Sequence, residues 1–228
     1  AKAPTVPLRT DSARLDLVVD SCRSAGYLVE RLTPAGRRLY SLMAGVSGTL
    51  PDELVALLGE LVADIGERVY LPGEAPAIYV RRVTQLKLDA ALLRRERRGL
   101  VSAPVMCSDT TVAWGRRIYG KPDDAEDALR MLSELAGKTH RVLTAVAMAQ
   151  GRKRALRLSE SRVSFAPVTR ARLRAYVATG EPMGKAGAYA VQGRAAAFIE
   201  RISGSYSGIM GLPLFETAQL LDMFGVRT

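Results

Sequence analysis

Two long apolar runs, Thr139–Ala149 and Leu156–Phe165, flank the charged turn Gly151-Arg152-Lys153-Arg154. β-Branched and apolar residues on either side of a Gly-containing turn read as a β-hairpin. A hairpin of that length needs more strands beside it and helices over it to be stable. The flanking sequence offers both. Pro104–Ala113 reads as a mostly buried strand, and Gly115-Arg116-Arg117 as a turn into a short strand at Ile118-Tyr119. Pro122-Asp123-Asp124-Ala125-Glu126 is a helix start, with an Asp cap and an acid three residues on. That helix runs through Leu129, Leu132 and Leu135 and stops at Gly137.

Upstream, Asp52 caps a predicted helix through Leu54, Leu57, Leu58, Leu61 and Val62. After the turn Pro72-Gly-Glu-Ala-Pro76, the spacing of Ile78, Val83, Leu86, Ala90 and Leu93 predicts a second amphipathic helix ending near Gly99. Downstream, Thr169 caps a helix through Leu173, Tyr176 and Val177 that ends at Gly180, and Pro213–Phe224 reads as a closing helix. Between them lies a stretch punctuated by Gly184, Gly187, Gly193, Gly204, Gly208 and Gly211, in which no element is assigned. Residues 1–50 show little pattern beyond an apolar face at Leu15, Val18, Val19 and Cys22. The expected organisation is therefore an N-terminal segment, 1–50, and an α/β domain, 51–228, with a single domain over 1–228 as the alternative. The order of elements predicts a mixed sheet with flanking helices.

Composition narrows the chemistry. Hydrophobic residues make up 48% of the 228, enough for a sizeable core. The net charge of +10 favours anionic partners, whether nucleotides, nucleic acid or acidic membrane surfaces. Arg81, Arg82, Arg94, Arg95, Arg97 and Arg98 fall on helix faces and read as solvated surface. No aromatic residues interleave with them, which argues against a stacking platform for single strands. Cys22 and Cys107 form no Cys-x-x-Cys pair, and the single His140 excludes a multi-histidine metal site. Cys107 reads as a small buried hydrophobe. No apolar run is long enough to span a bilayer, and Ala-Lys-Ala-Pro-Thr-Val-Pro lacks the apolar core of a signal peptide. The cytoplasm is the expected location, with no membrane partner and with nucleic acid disfavoured.

The residues with chemical potential are an acid and several Gly-flanked cations. Asp109 stands in Val105-Met-Cys-Ser-Asp-Thr-Thr-Val112, Lys121 in Gly120-Lys-Pro, and Lys185 in the later block Lys185-Ala-Gly-Ala-Tyr-Ala-Val-Gln192-Gly193. A carboxylate can hold a metal or activate water while cations neutralise phosphates, which suits polyphosphate hydrolysis.

Taken together, three blocks resemble the Maf family of nucleoside triphosphate pyrophosphatases. They are Asp109-Thr-Thr-Val with Gly120-Lys-Pro-Asp-Asp-Ala-Glu-Asp-Ala-Leu, Gly180-Glu-Pro-Met-Gly-Lys-Ala-Gly-Ala-Tyr-Ala-Val-Gln192-Gly, and Gly204-Ser-Tyr-Ser-Gly-Ile-Met-Gly-Leu-Pro-Leu214. Their order and spacing carry the resemblance over roughly the last two-thirds of the chain; no one block would. It implies an α/β fold of two lobes around a central cleft, similar to inosine triphosphate pyrophosphatase. The implied reaction cleaves the α–β phosphoanhydride of a nucleoside triphosphate, giving the monophosphate and pyrophosphate with Mg²⁺, or alternatively Mn²⁺.

By the same resemblance Asp109 is the catalytic carboxylate, as proton acceptor or metal ligand, and Glu67 helps hold the metal. Lys121 and Lys87 lie near the phosphates, although Lys87, on an Arg-rich helix, equally reads as solvated surface. Lys185 assists at the phosphates or the cleft wall. Thr110 and Gln192 occupy the positions that select the base, in a form resembling the branch that acts on dTTP and UTP rather than 7-methyl-GTP. A primary amide can pair with the donor and acceptor edge of a pyrimidine. His140 reads as a packing residue, and a homodimer is implied.

The family's N-terminal signature, Ser-x-Ser-Pro-Arg-Arg at a helix start, is altered. One register places it at Thr10-Asp11-Ser12-Ala13-Arg14, keeping Ser12 and Arg14 for the triphosphate; the other places it near Ser47-Gly48-Thr49-Leu50-Pro51, with no arginine. Two alternatives to an active hydrolase follow: a catalytically impaired Maf-like protein that binds nucleotides and acts through partners, and a basic nucleic-acid-binding protein.

Overall fold

A computed structural model describes residues 73–226. The chain divides into two compact units, Ala1–Gly73 with Asp89–Val101, and Glu74–Leu88 with Ser102–Thr228. Of the first, the described part is Gly73 together with the second half of helix α1 (Pro76–Arg97) and the turn after it. Arg94, Arg95 and Arg97 occupy the last turn of α1, where positive charge complements the helix dipole.

The second unit contains the sheet. Its strands are β1 (Val105–Trp114), β2 (Arg117–Tyr119), β3 (Thr139–Gln150), β4 (Lys153–Phe165) and β5 (Ile199–Ser203). They lie in the order β2-β1-β3-β4-β5, and every described pair is antiparallel. The α/β class with flanking helices is thus as expected, while the mixed character expected of the sheet is not seen among the described strands. The hairpin forms as predicted, but its turn is tighter. Gln150 pairs with Lys153 across Gly151-Arg152, so Lys153 and Arg154 begin β4 rather than finish the turn. Gly151 has φ 56°, the left-handed geometry that a two-residue hairpin turn favours.

Each face of the sheet has its own cover. On one face, Ala113, Leu143 and Ala145 meet Tyr79, Val80 and Val83 of the first half of α1. On the other, Val112, Val142 and Val163 pack with helix α2 (Ala125–Leu135), helix α3 (Arg170–Val177) and the chain around Tyr189 and Phe198. β3 is buried along almost its entire length because it sits at the centre of the sheet with both faces covered.

The caps predicted at Asp124 and Thr169 form, while the helix predicted from Asp52 lies outside the described residues. Asp124 accepts from the Asp127 amide at 2.8 Å, and Thr169 accepts from the Arg172 amide at the start of α3. α2 then buries Leu129, Leu132 and Leu135 on one stripe.

The Gly-rich stretch holds more structure than its sequence suggests. It contains one-turn 3₁₀ segments at Ala186–Ala188 and Arg194–Phe198, strand β5 and the short helix α4 (Tyr206–Met210). The closing helix is α5 (Leu214–Met223). α4 lies close on the sheet at Gly208, where there is no side chain to hold it off. Ser205 caps it through the Gly208 amide, and a Cβ on Gly208 would come within 3.1 Å of the Ser159 hydroxyl.

Two further sequence expectations need correction. Cys107 is half-buried rather than buried, since it lies near the start of β1 before the covered part of the strand. Arg82 is not simply solvated: its guanidinium forks onto Glu74, with both bonds at 2.7 Å, and lies over the Tyr79 ring.

Candidate active site

Asp109 and Thr110 are neighbours on β1, so strand geometry sends their side chains to opposite faces. The structure agrees. Asp109 pairs in register with Ala145, on the face covered by α1, and Thr110 with Thr144 on the other. Both nevertheless line one cleft of about 260 Å³. β2 joins β1 only at Val112–Trp114, so it does not extend along the strand as far as Asp109. The cleft wraps around β1 at this point and receives residues from both faces.

Lys87 reaches the cleft from α1. Val80, Val83 and Thr84 form the buried stripe of that helix, and Lys87 continues it at the next turn. Its ammonium lies 2.7 Å from Asp109 Oδ1, with the lysine and aspartate side chains 27% and 12% exposed. The solvated-surface reading of Lys87 is therefore replaced by an ion pair at the cleft. Helical spacing from Val80 places Lys87 on the sheet-facing side of α1, unlike the exposed Arg81.

Lys121 follows the end of β2. The Gly187 amide donates to the Gly120 carbonyl at 2.9 Å, tying this segment to the 3₁₀ turn after Lys185. Gly187 is required twice over. Its φ is 69°, and a Cβ there would stand 2.9 Å from both methyl carbons of Val112. That close approach brings Lys121 and Lys185 to the same cleft as Asp109. Gln192 lines it too, from an exposed position after the buried Val191.

Behind Gln192, Glu181 supports the loop. Its carboxylate accepts from the Arg194 amide at 3.0 Å, the Tyr176 hydroxyl at 3.0 Å and the Ala195 amide at 3.4 Å. Burial pushes the Glu181 carboxyl up, but the Arg194 amide, the Tyr176 hydroxyl and the Ala195 amide together hold it below the usual carboxylate range. A Cβ on Gly193 would collide with this carboxylate at 2.2 Å. Any larger residue there would force the Glu181 carboxylate out of this position.

The apolar wall of the cleft includes Val112, Val142, Tyr189, Val191 and Ile209. Tyr189 is fixed from behind by His140, whose Nε2 lies 2.9 Å from the phenol oxygen, and both rings meet Phe165 edge to face. His140 is 1% exposed; burial pushes its imidazole down to about 4, against the opposing hydrogen bond at Lys138. It packs, as the sequence suggests, and Tyr189 is the lining residue it holds.

Ser108 and Gly211 complete the rim, with the Ser108 hydroxyl donating to the Gly211 carbonyl at 2.9 Å. Sequence reasoning missed Ser108, Tyr189, Ile209 and Gly211, although three of them lie inside the blocks that carried the family resemblance. Of the residues predicted for the site, Asp109, Thr110, Lys87, Lys121, Lys185 and Gln192 meet at this cleft. Ser12, Arg14 and Glu67 lie outside the described residues.

Fold and cleft define an α/β protein that gathers an acid, three lysines and an amide at one strand of an antiparallel sheet. The chain belongs to the Maf family, described as Maf-like protein, whose profile matches residues 52–224. Both placements of the altered N-terminal signature precede that segment. The chain is 63% identical to a dTTP/UTP pyrophosphatase of Albidiferax ferrireducens over 185 residues, covering 77% of this chain and 92% of that protein. It is 56% identical over 184 residues to a dTTP/UTP pyrophosphatase of Cupriavidus metallidurans, with the same two coverages. A dTTP/UTP pyrophosphatase of a Polaromonas species is 66% identical over 154 residues, 68% of this chain and 76% of that protein.

Proposed function

We propose that this protein is a nucleoside triphosphate pyrophosphatase that hydrolyses dTTP and UTP to the monophosphate and pyrophosphate. The observation that carries this reading is the convergence of Asp109, Lys87, Lys121, Lys185, Thr110 and Gln192 on one cleft, in a chain so close to relatives of that name. In the reaction, the oxygen of water bonds to the α-phosphorus, the bond to the bridging oxygen breaks, and pyrophosphate leaves. Asp109 accepts the water proton, and Lys87 orients the carboxylate through its 2.7 Å contact. Lys121 and Lys185 stabilise the charge that develops on the phosphate oxygens. Gln192 and Thr110 contact the base.

Mg²⁺ is the proposed metal. It binds commonly through one or two carboxylates plus substrate phosphates, keeping several waters. Among the described residues there is no group of three His, Cys, Asp or Glu placed to cage an ion, and Asp109 is the carboxylate lining the cleft. One protein carboxylate beside a phosphate site fits that mode, with Glu67 as a proposed second ligand. When bound, the ion neutralises phosphate charge.

No described helix is long and apolar enough to cross a membrane. A cytoplasmic homodimer is the proposed state. Met210, Leu214 and Phe215 support it as exposed apolar residues on neighbouring elements.

The test is pyrophosphate release from a panel of dNTPs and NTPs with Mg²⁺. Turnover led by dTTP and UTP is expected. Binding without turnover of any triphosphate would transfer the conclusion to an impaired nucleotide-binding protein.

A further inference from the structure

Behind Thr110 lies a hydroxyl chain whose polarity is fixed. Thr144 Oγ1 stands 2.6 Å from the Gly208 carbonyl oxygen, which can only accept, so Thr144 spends its single hydrogen there. Thr110 Oγ1 is 2.8 Å from Thr144 Oγ1, and Thr144 has no hydrogen left to give. Thr110 must therefore be the donor in that pair. Its own hydrogen points into the protein, and its oxygen presents only lone pairs to the cleft.

Thr144 is 1% exposed, and the Gly208 carbonyl is fixed by the close seating of α4, so neither partner is free to reverse the chain. Gly211, at φ 119°, leaves the approach open. A Cβ there would stand in contact with the Thr110 oxygen, at 3.6 Å.

We propose that Thr144, which nothing else marks as a site residue, is a positioning residue for base selection. By taking the Thr110 hydrogen, it makes Thr110 an obligate acceptor that favours the imide N–H of uracil or thymine and opposes the bare ring nitrogen of cytosine. The proposal rests on the reading that Thr110 meets the base. Uracil and cytosine are similar in size, and both carry the O2 carbonyl. What separates them at the middle of the pairing edge is a donor in one and an acceptor in the other. An acceptor held opposite an acceptor is an unsatisfied pair, whereas a hydroxyl able to rotate would serve both bases. The fixed chain removes that rotation.

The experiment measures Kd, with Mg²⁺, for the α,β-methylene analogues of UTP, N3-methyl-UTP and CTP, which do not depend on turnover. Wild-type protein should prefer the UTP analogue over each of the other two by about five- to tenfold, the lower range for one mispaired polar group. Thr144→Val keeps the side-chain shape but frees the Thr110 hydrogen. It should narrow the UTP-to-CTP ratio chiefly by binding the CTP analogue more tightly. Thr144→Ser should keep the wild-type ratio. A merely structural role for Thr144 would weaken both ligands together and leave the ratio unchanged, which overturns the proposal.

Equal affinity of the wild type for the UTP and CTP analogues, or no binding of either, overturns it as well. Should Thr144→Val not fold, the N3-methyl comparison on wild-type protein decides: unchanged affinity sinks the idea. Pyrophosphate release from UTP is followed in parallel. No turnover with the analogue preference intact would defeat the hydrolase reading alone, and turnover with a fixed ratio in Thr144→Val would defeat this one alone.

Discussion

Glu181→Gln perturbs one carboxylate that holds the loop carrying Gln192, and the structure sets the expected size. Oε2 accepts the Arg194 amide, and Oε1 accepts the Tyr176 hydroxyl and, more weakly, the Ala195 amide. A glutamine must turn its NH₂ toward one of these donors. Its better orientation keeps the carbonyl on the Arg194 amide and opposes the NH₂ to the Ala195 amide, while the Tyr176 hydroxyl rotates to accept. One bond to a charged group is then lost and the others become neutral, a cost of about 2 kcal/mol. For a domain of this size that lowers Tm by roughly 6 °C. The Glu181 carboxyl is held below the usual carboxylate range. Its contribution is therefore full above the unfolded value of about 4.3 and is lost as pH falls through the lower folded value.

Urea unfolding of wild type and variant at neutral pH and in steps below about pH 4 measures this directly. The difference should be largest at neutral pH and shrink with acid, because a protonated Glu181 offers much the same groups as glutamine. Steady-state kinetics should show a higher KM for dTTP and UTP from the displaced Gln192, with a smaller change in kcat. Equal stability at neutral pH, or a difference that does not change down to pH 3, would refute the assigned bonding.

Asp109→Asn should retain the fold and lose at least about a hundredfold in kcat, because an amide cannot take the water proton; near-normal pyrophosphate release by the folded variant would remove Asp109 from the chemistry. Gln192→Glu replaces a donor and acceptor with acceptors only and adds negative charge near the nucleotide. Pyrimidine turnover should fall more than purine turnover, and an unchanged substrate ranking in the release assay would reassign selectivity elsewhere. His140 stays neutral in the fold until about pH 4, whereas the unfolded chain binds that proton near 6.5. Acid in that interval favours unfolding by up to roughly 3 kcal/mol, and His140→Phe should flatten this slope in urea titrations across it. Binding to generic duplex DNA should be weak and collapse with added salt, since scattered arginines supply counterion release alone; tight sequence-selective binding by filter assay at physiological salt would contradict that.

Much of the fold could be read from the sequence where a single local rule dominates. The hairpin follows from its apolar runs, and the starts of α2 and α3 follow from Asp124 and Thr169 as caps. Lys153 and Arg154 misled the reading because charged residues look like turn, yet β4 begins exposed and tolerates them. β5 and α4 escaped notice because each spans five residues and is held by distant partners. The Ser205 amide, for example, donates to Ser161 Oγ on β4, a contact that no local pattern encodes.

The site divides in the same way. Asp109, Gln192 and Lys87 could be found by resemblance to a family, although local sequence alone left Lys87 equally readable as solvated surface. Thr144 could not be found, because its importance lies in the direction of a hydrogen bond to a carbonyl sixty-four positions away in sequence.

The placement of Asp109 and Thr110 on opposite faces of one strand separates two kinds of evolutionary freedom. The residues proposed to meet the base belong to one side of β1 and the elements packed there; the acid and its lysine belong to the other. Changes of substrate can therefore accumulate around Thr110, Thr144 and α4 without disturbing the Lys87–Asp109 pair. A one-residue slip of β1 against β3 would instead exchange the two sides at once. The pairing register of that strand is thus the shared constraint on an otherwise separable inheritance, tolerant of substitution and intolerant of insertion or deletion.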